Sequence, residues 1–405
     1  MGANLHNIAD EKRPRVLSPG KIGAIELRNR VIRAACFEGM SPGGSPSEPL
    51  LEHHRDVAAG GVAMTTVSYC SVSFDGRGFN TEMWMREEIV PELRRLTDAV
   101  HREGAAASIQ LVHCGYFSNK SVIKRRPLGA SRKFCTFRLA FAKKMTEGEI
   151  DRVTKDFGKA AALSIKAGFD AVEIHAGHGY LLSQFLSPYT NRRRDHFGGS
   201  LENRMRFPAS VVKHVRETVG PDFPILIKMN LRDGFKGGLE LEEAIEVARR
   251  FEAEGASALI LSGGFTAKTP FYMMRGRIPR KEWLQGQKSL LEKVALRLFG
   301  RLFVQTYPFE ELFFLEDSRK VREAVSIPLV LIGGICSIDN MEKAMEEGFD
   351  FVQIGRALIR EPDLVRRMER GEWQASKCAH CNRCVAEMEN GGVWCVSKVK
   401  GQYQG

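Results

Sequence analysis

The sequence lacks any run of 18 or more apolar residues, which argues against a transmembrane helix. Its first fifteen residues, MGANLHNIADEKRPR, also lack the apolar stretch of a secretory signal peptide. The N-myristoylation pattern fails as well, since Gly2 is followed at position 6 by His6 rather than by Ser or Thr. The 405 residues are 43% hydrophobic and 27% charged, which is typical of a soluble globular protein. We therefore expect a cytoplasmic protein that does not bind membranes.

The chain contains nine cysteines, so their number is odd. Five are scattered along the sequence and four cluster near the C-terminus. An odd count in a chain without a predicted secretion signal argues against a disulfide framework and indicates a reducing compartment.

Acidic residues are absent from residues 115–146, although this segment has nine basic ones. These are Lys120, Lys124, Arg125, Arg126, Arg132, Lys133, Arg138, Lys143 and Lys144. The net charge of +11 is therefore unevenly spread. Two interpretations stay open: a solvated surface loop, or a positive rim that steers an anionic ligand such as a cofactor phosphate or a carboxylate substrate. Nucleic acid is not expected as a partner, because stacking aromatics are few and no binding motif is present.

Eight short apolar runs alternate with amphipathic helical patterns along the chain. The runs are VIRAAC (31–36), VAMTTVS (62–68), AASIQLVH (106–113), AVEIHAG (171–177), PILIKMN (224–230), ALILSGG (258–264), PLVLIGG (328–334) and FVQIGR (351–356). The helical patterns cover residues 87–103, 149–166, 201–219, 241–254 and 338–347. Near-continuous hydrophobicity suits parallel strands buried on both faces. Eight such strands with intervening helices predict an α/β fold, a (β/α)8 TIM barrel, and no GxGxxG motif follows the first run to favour a Rossmann fold.

The predicted barrel covers residues 1–372, and a short cysteine-containing tail covers residues 373–405. Two connections are long: the basic segment after the third run, and residues 265–326, which contain a helix-like pattern of their own. Loops of this length in a compact domain are usually functional or form subdomains.

Polar side chains follow several of the predicted strands, at the end where TIM barrels have their active sites. The fourth run ends with His175 and His178, and Tyr180 comes two residues later. Imidazole N–H groups can hydrogen-bond a carbonyl or carboxylate oxygen, and a protonated phenol beside them can deliver a proton. Purely structural histidines are the alternative, which the pairing with Tyr180 disfavours.

Glycine-rich turns follow the last two runs, as LIGGICS at 331–337 and IGRALI at 354–359. Such turns let backbone N–H groups approach a phosphate at a recurrent TIM-barrel site. We expect Gly334, Gly355 and Arg356 to bind it, with Gly333 as a second choice.

The tail contains four cysteines in a C-x2-C-x2-C-x10-C pattern, at Cys378, Cys381, Cys384 and Cys395. Four clustered thiolates suit an iron–sulfur cluster of the [4Fe-4S] type or a tetrahedral zinc ion. Unligated cysteines are the alternative.

Residues 173–207, EIHAGHGYLLSQFLSPYTNRRRDHFGGSLENRMRF, closely resemble the signature of the old yellow enzyme family of flavin-dependent ene-reductases. The resemblance extends over nearly the whole chain and implies an FMN cofactor with NAD(P)H as co-substrate. By this resemblance His175 and His178 bind the activating group of the substrate, and Tyr180 donates a proton to its α-carbon. Tyr69, at the end of the second run, is expected on the substrate side of the pocket.

The same resemblance implies a set of flavin contacts. Gln110, in QLVHCG, would face the pyrimidine edge of FMN. Lys228 stands where the family commonly has Arg beside flavin N1 and O2, and a cation there stabilises the reduced flavin. The segment NRVIRAACFEGM resembles the first strand of the family, whose end packs against the flavin at Ala34, Ala35 and Cys36. Ala35 replaces the usual Pro. The tail resembles the cluster-binding segment of larger members, namely relatives of dienoyl-CoA reductase and trimethylamine dehydrogenase.

The resemblance thus predicts an ene-reductase that passes hydride from NAD(P)H through FMN to the β-carbon of a small α,β-unsaturated carbonyl or carboxylate compound. One alternative is a flavin-dependent amine dehydrogenase or demethylase that passes electrons to a cluster in the tail. Trimethylamine dehydrogenase relatives have Tyr at the position of His175, which favours the reductase. A second alternative is a barrel without catalysis that binds partners through its tail or basic segment. The choice between NADH and NADPH, and a homo-oligomeric state, stay open.

Overall fold

The computed structural model describes residues 13–279, 282, 305–388 and 391–398. Its central sheet includes a short edge strand, Met83–Trp84, which pairs with residues 70–71. Eight parallel strands form the closed part of this sheet, one from each predicted run. They are β1 Val31–Arg33, β2 Met64–Ser71, β3 Ala106–Val112, β4 Ala171–Ala176, β5 Ile225–Asn230, β6 Ala258–Ser262, β7 Leu329–Ile332 and β8 Phe351–Ile354. Each strand pairs with the next, and β8 pairs with β1. The sheet is therefore closed, which confirms the predicted TIM barrel.

The longer helices lie between the strands. They are α1 Glu48–Ala59, α2 Val90–Arg102, α3 Glu147–Lys166, α4 Leu201–Val219, α5 Leu241–Ala253, α6 Leu315–Arg322 and α7 Ile338–Glu346. Shorter helices are Lys120–Ile123, Leu181–Leu186, Arg356–Arg360, Leu364–Glu369 and Arg383–Glu387. The five predicted helices are confirmed to within two or three residues at each end. Part of the predicted pattern in 265–326, at residues 280–281 and 283–304, lies outside the described residues.

Local sequence signals explain where the helices begin. Thr146 and Glu149 form a capping box at the start of α3, in which each side chain hydrogen-bonds the backbone N–H of the other residue. Ser200 and Ser337 accept hydrogen bonds from backbone N–H groups in the first turns of α4 and α7. The basic segment ends at Thr146, so this capping box also fixes the point at which the segment returns to the barrel.

One end of the barrel is closed by apolar packing. A hairpin of strands Gly20–Ile22 and Ile25–Leu27 precedes β1. Ile22 and Leu27 are buried in a cluster with residues from most of the barrel strands. These members include Ile32, Met64, Leu226, Ile260, Val330 and Phe351. The polar strand ends listed above therefore lie at the opposite, C-terminal end of the strands.

The tail packs against the barrel. Backbone hydrogen bonds join Ile338 N to Gln374 O (2.9 Å) and Ser376 N to Cys336 O (2.7 Å). Trp373 is buried in the main core. Farther along, Val393 N donates to Glu38 O at 2.9 Å. Among the described residues, no helix is both long and apolar enough to span a bilayer.

Candidate active site

His175, His178 and Tyr180 lie together at the end of β4. The ring centroids of His175 and His178 are 4.8 Å apart, and those of His175 and Tyr180 are 4.9 Å apart. The chain turns between them with positive φ angles at His178 and Gly179. Asn230, at the end of β5, holds this turn, because its Oδ1 accepts a hydrogen bond from His178 N at 2.9 Å. The three residues predicted from sequence thus share one site.

Both imidazoles are neutral at physiological pH. Burial lowers the pKa of His175 well below its ordinary value, and it lowers the pKa of His178 to about 3, with the positive charge of Lys228 adding to both shifts. Gly177 N donates to His175 Nδ1 at 3.2 Å. Nδ1 is therefore an acceptor, and the ring proton of neutral His175 is on Nε2. His178 Nε2 lies 2.7 Å from Ser262 Oγ at the end of β6.

Tyr180 is a protonated phenol in an aromatic pocket. Its hydroxyl lies 3.1 Å from the hydroxyl of Tyr69. Burial raises the pKa of both tyrosines above the ordinary value, so both carry their protons at neutral pH. Phe37 stacks on Tyr69 at 4.8 Å, and Phe117 meets Tyr180 edge-on at 5.9 Å. Tyr69 thus lies beside Tyr180, as expected for a residue of the same pocket.

Gln110 and Lys228 meet at a buried carboxylate that the sequence analysis did not single out. Glu173, on β4, accepts hydrogen bonds from Gln110 Nε2 at 2.5 Å and from Gln353 Nε2 at 3.0 Å. Lys228 Nζ lies 2.7 Å from Glu173 Oε1, and both side chains are almost completely buried. Lys228 therefore does not reach solvent. Glu173 joins side chains from β3, β5 and β8 inside the barrel.

Several buried polar atoms have no hydrogen-bond partner within the part of the chain that the structure describes, and two of them, Ser68 Oγ on β2 and Gln353 Oε1 on β8, belong to barrel strands. Buried polar atoms of native proteins are generally hydrogen-bonded. A ligand with hydrogen-bonding edges, such as the flavin ring, would satisfy such atoms. The residues of this end of the barrel therefore fit an FMN ring system.

The expected contacts from β1 and β8 also meet. Ala34 N donates to Ile354 O at 2.9 Å. A Cβ atom placed on Gly355 would lie 2.9 Å from Cys36 Sγ and 3.9 Å from the Cβ of Ala34. Burial raises the pKa of the Cys36 thiol, so it is protonated. Ala34, Cys36 and Gly355 thus lie together where the ends of β1 and β8 meet. Ala35 lies between Ala34 and Cys36 in the sequence.

The expected phosphate ligands are engaged with other parts of the chain. Gly334 has φ of 75°, and a Cβ there would lie 2.5 Å from Glu310 O and 2.6 Å from Leu312 N. Arg356 Nη1 donates to Arg275 O at 2.8 Å and to Asn382 Oδ1 at 2.6 Å. The phosphate roles of Gly334, Gly355 and Arg356 stay predictions.

The four tail cysteines line one cavity, together with Arg356, Arg360 and Asn382. Arg360 Nη1 lies 3.5 Å from Cys395 Sγ. Burial raises the pKa of Cys378, and it raises that of Cys384 to about 12. Within the described ranges, no group of three or more His, Cys, Asp or Glu side chains has an arrangement that could hold a metal ion. The cysteines share a cavity, and metal binding stays a prediction.

The basic segment divides into paired and unpaired parts. Lys143 lies 2.8 Å from Glu149, and Lys144 lies 3.0 Å from Asp195. Arg138 donates to Phe117 O at 3.1 Å and covers the Phe117 ring. Lys143 and Lys144 thus behave as an ordinary solvated surface.

Sequence reasoning missed three positions that hold the site together: Glu173, Asn230 and the turn at Phe265–Thr266. Thr266 N donates to His178 O at 2.9 Å, and Phe265 packs against Gly179. Glu173 had a signal, because it is two residues before His175 on the same face of β4, and a charge within a buried strand requires a partner. The turn at Phe265–Thr266 had no such signal in the sequence, because its contacts depend on how β4 and β6 approach each other.

The chain matches known proteins along most of its length. Residues 15–265 match the NADH:flavin oxidoreductase / NADH oxidase family, and residues 314–376 match a histidine biosynthesis protein family. The chain is 41% identical over 379 residues to 4,4'-dithiodibutanoate disulfide reductase of Rhodococcus erythropolis, covering 93% of this chain and 94% of that protein.

Two further likenesses are more distant. The probable N-methylproline demethylase of Rhizobium meliloti (strain 1021) is 31% identical over 387 residues; the match covers 94% of this chain and 53% of that protein, so the chain spans about half of that relative. An old yellow enzyme homologue from Zymomonas mobilis shares the fold, with a TM-score of 0.72, 23% identity, and coverage of 90% of this chain and 94% of that one. The barrel, the strand-end site and these matches agree: the chain belongs to the NADH:flavin oxidoreductase / NADH oxidase family, which is the family of old yellow enzyme.

Proposed function

We propose that this chain is an FMN-dependent ene-reductase that uses NAD(P)H to reduce the activated C=C bond of a small unsaturated carbonyl or carboxylate compound. The observation that carries the proposal is the buried group of His175, His178 and Tyr180 at the end of β4. It combines neutral hydrogen-bond donors with a protonated phenol, which are the two functions that such a reduction requires.

The residues divide the work as follows. FMN, when bound, supplies the hydride chemistry between the nicotinamide and the substrate. His175 Nε2–H donates a hydrogen bond to the substrate oxygen, with His178 beside it. Because both rings are neutral, they polarise the substrate without protonating it. Tyr180 gives its proton to the α-carbon, and Tyr69 hydrogen-bonds its hydroxyl.

Lys228 places a positive charge next to this group. In the sheet it is paired in register with His175, and Glu173 fixes its ammonium at 2.7 Å. A cation held in place before the reaction stabilises negative charge without reorganisation. We therefore assign Lys228 to stabilising the reduced flavin, with Gln110 as its neighbour on Glu173.

Reduction of an organic disulfide is a second candidate, favoured by the 41% identity to a disulfide reductase over almost the full length of both chains. Two electrons and two protons convert a disulfide into two thiols. FMN, when bound, would supply the two electrons from NAD(P)H, solvent would supply protons to the thiolates, and the neutral imidazole N–H groups of the site would hydrogen-bond the departing sulfur. The substrate named for that relative, 4,4'-dithiodibutanoate, has a carboxylate at each end.

We further propose that Cys378, Cys381, Cys384 and Cys395 hold a metal centre, either an iron–sulfur cluster or a zinc ion. Their position around one cavity supports this. Purified protein would then contain iron with acid-labile sulfide, or zinc, and Cys381→Ala would lose it. Cys135→Ala, which changes a buried cysteine elsewhere, is the control. Absence of both metals from anaerobically purified protein would refute the proposal.

The experiment that tests the main proposal is an anaerobic absorbance titration of purified protein. Flavin bands that bleach with NADPH or NADH, and return on addition of cyclohexenone, would support the ene-reductase. Return with 4,4'-dithiodibutanoate but not with the enone would favour the disulfide reductase. Bleaching by an N-methylated amine, with no response to either nicotinamide, would favour the amine dehydrogenase alternative. Protein that binds no flavin would refute all three.

A further inference from the structure

Three cations that form no ion pair with a carboxylate of the described residues lie together beside the candidate active site. Lys133 Nζ is 3.4 Å from the centroid of the Tyr189 ring and donates to Tyr189 O at 3.0 Å. Lys268 Nζ is 4.5 Å from the centroids of both the Tyr189 and Phe235 rings. Arg192 is exposed and lies close enough to affect Lys133. We call Lys133, Arg192 and Lys268 the cation patch.

Lys133 is the member of the cation patch that belongs to the basic segment, and the patch differs from the ion-paired lysines of that segment. Lys143 and Lys144 have carboxylate partners, whereas no carboxylate of the described residues forms an ion pair with a member of the patch. Burial, together with the charges of Arg192 and Lys268, lowers the pKa of Lys133 to about 8. The contacts with aromatic rings replace the missing carboxylate partners of the two ammonium groups only in part. Like charges held this close are stabilised by an anion between them.

Phe265 lies between the cation patch and the candidate active site. Phe265 contacts Tyr189, with ring centroids 6.1 Å apart, and Phe235, at 5.5 Å. On its other side Phe265 packs against Gly179, where a Cβ would lie 2.5 Å from its ring. Gly179 lies between the two site residues His178 and Tyr180.

Lys268 is also connected to the site through the backbone. Its N–H donates to Phe265 O at 2.8 Å, and the intervening turn hydrogen-bonds His178 O through Thr266 N. One rigid turn therefore carries both the residue that covers the active-site turn and a member of the cation patch.

We propose that the cation patch binds a carboxylate of the reducible substrate, while the other end of that substrate lies at His175 and Tyr180. The substrate class is then a small compound that carries a carboxylate separated by a short apolar chain from its reducible bond. The half-buried Tyr189 ring would contact that chain, and Phe265, which is completely buried, would support this ring from behind. This inference rests on the proposed function and assigns its specificity.

The binding test uses hexanedioate, which has no reducible bond, and its dimethyl ester as the uncharged counterpart. Calorimetric titration of the protein as purified should give a dissociation constant for hexanedioate that rises with ionic strength. We expect the dissociation constant of hexanedioate to rise about tenfold or more in the Lys133→Gln/Lys268→Gln variant. The loss of a hydrogen bond to a charged group lowers the binding free energy by an amount that corresponds to this change. Lys213→Gln, an exposed change on α4, should leave it unchanged.

Two results would overturn the proposal. One is hexanedioate binding no tighter than the ester in the unmodified protein. The other is equal binding by the double variant. A rise in the KM for NADPH in that variant, with hexanedioate binding intact, would instead assign the patch to the cofactor phosphate.

The failure of this proposal is distinguishable from failure of the proposed function. A protein that reduces a neutral enone but shows no carboxylate preference retains the function and lacks the site. The opposite result would be hexanedioate binding through the two lysines in a protein whose flavin reacts with neither nicotinamide nor any acceptor. The carboxylate site would then be supported and the proposed function refuted.

Discussion

At the scale of single residues, the site separates hydrogen-bond donation from proton donation. The low pKa of each histidine and the high pKa of Tyr180 have the same principal cause, which is burial. Only the phenol then has a proton to give at neutral pH. This division makes the effect of single substitutions specific to one half of the reaction.

Tyr180→Phe should therefore slow reoxidation of the reduced flavin by an enone about 10²- to 10⁴-fold, the usual range for loss of a general acid. Flavin reduction by NAD(P)H should be unchanged, which stopped-flow absorbance measures separately. Tyr69→Phe, which removes the hydroxyl partner but keeps the donor, should have a smaller effect. Equal loss in both half-reactions would show that Tyr180 has a structural role instead.

The buried pair of Lys228 and Glu173 gives a prediction about stability. Glu173→Gln leaves the Lys228 ammonium buried without a counter-charge, and such changes cost about 3–5 kcal/mol. The double variant Glu173→Gln/Lys228→Met removes both charges and should recover much of the free energy of unfolding. Urea denaturation of the three proteins measures this, and a double variant that is less stable than Glu173→Gln would contradict it.

The pKa of Lys133 predicts how carboxylate binding depends on pH. Burial and the neighbouring cations lower its pKa to about 8 in the free protein, so Lys133 loses its charge as pH rises through 8. Hexanedioate binding should weaken between about pH 7 and pH 9.5. In Lys133→Gln this pH dependence should be absent, and an unchanged profile in that variant would exclude Lys133 as its source.

At the scale of secondary-structure elements, the turns after β4 and β6 act together. Gly179 has φ of 75°, and Phe265 occupies the space where its side chain would be. An alanine there is strained by its backbone conformation and would displace Phe265.

Gly179→Ala should therefore reduce kcat/KM for an enone and weaken hexanedioate binding together, since Phe265 contacts both regions. Gly199→Ala is a suitable control, because its φ is also positive but its Cβ would meet no atom within 4 Å. Kinetics and calorimetry on both variants check this. Loss of enone reduction with hexanedioate binding intact would show that the two turns are independent.

The elements themselves were predictable, and their contacts were less so. All eight strands and five helices followed from hydrophobic periodicity, because strands buried on both faces give nearly continuous apolar runs. Six of the eight observed strands end earlier than predicted, for example β1 at Arg33 rather than Cys36, whereas β5 ends where predicted and β2 continues from the predicted end at 68 to Ser71. His175 and Tyr180 were predictable because they are close in sequence. The link from Lys268 to Gly179 was not, since it depends on tertiary packing.

At the scale of the whole molecule, the tail is joined to the barrel in two different ways. Trp373 is part of the main core, whereas Cys378, Cys381, Cys384 and Cys395 line the cysteine cavity. A metal bound by these cysteines would stabilise the second part selectively, because ligand binding stabilises only the structure that forms the site.

Removal of that metal by a chelator should therefore make the chain sensitive to proteases beyond residue 376 and leave the barrel resistant. Limited proteolysis followed by mass spectrometry locates the cleavage sites, and Cys381→Ala should show the same sites without chelator. Cleavage within β1–β8 at equal rates would contradict this, since it would mean that the metal stabilises the whole fold.

The anchors of the tail also have a mechanical consequence. The tail is bonded to Cys336 in the loop after β7, to Ile338 at the start of α7, and to Glu38 in the loop after β1. Strands β7 and β1 are the two that flank β8 in the closed sheet. The tail is also bonded to the turn after β8, through Asn382 and Arg356. A stretching force applied at residue 398 would therefore be shared among the ends of three adjacent strands, so that neither side of the seam between the first and last strands carries it alone.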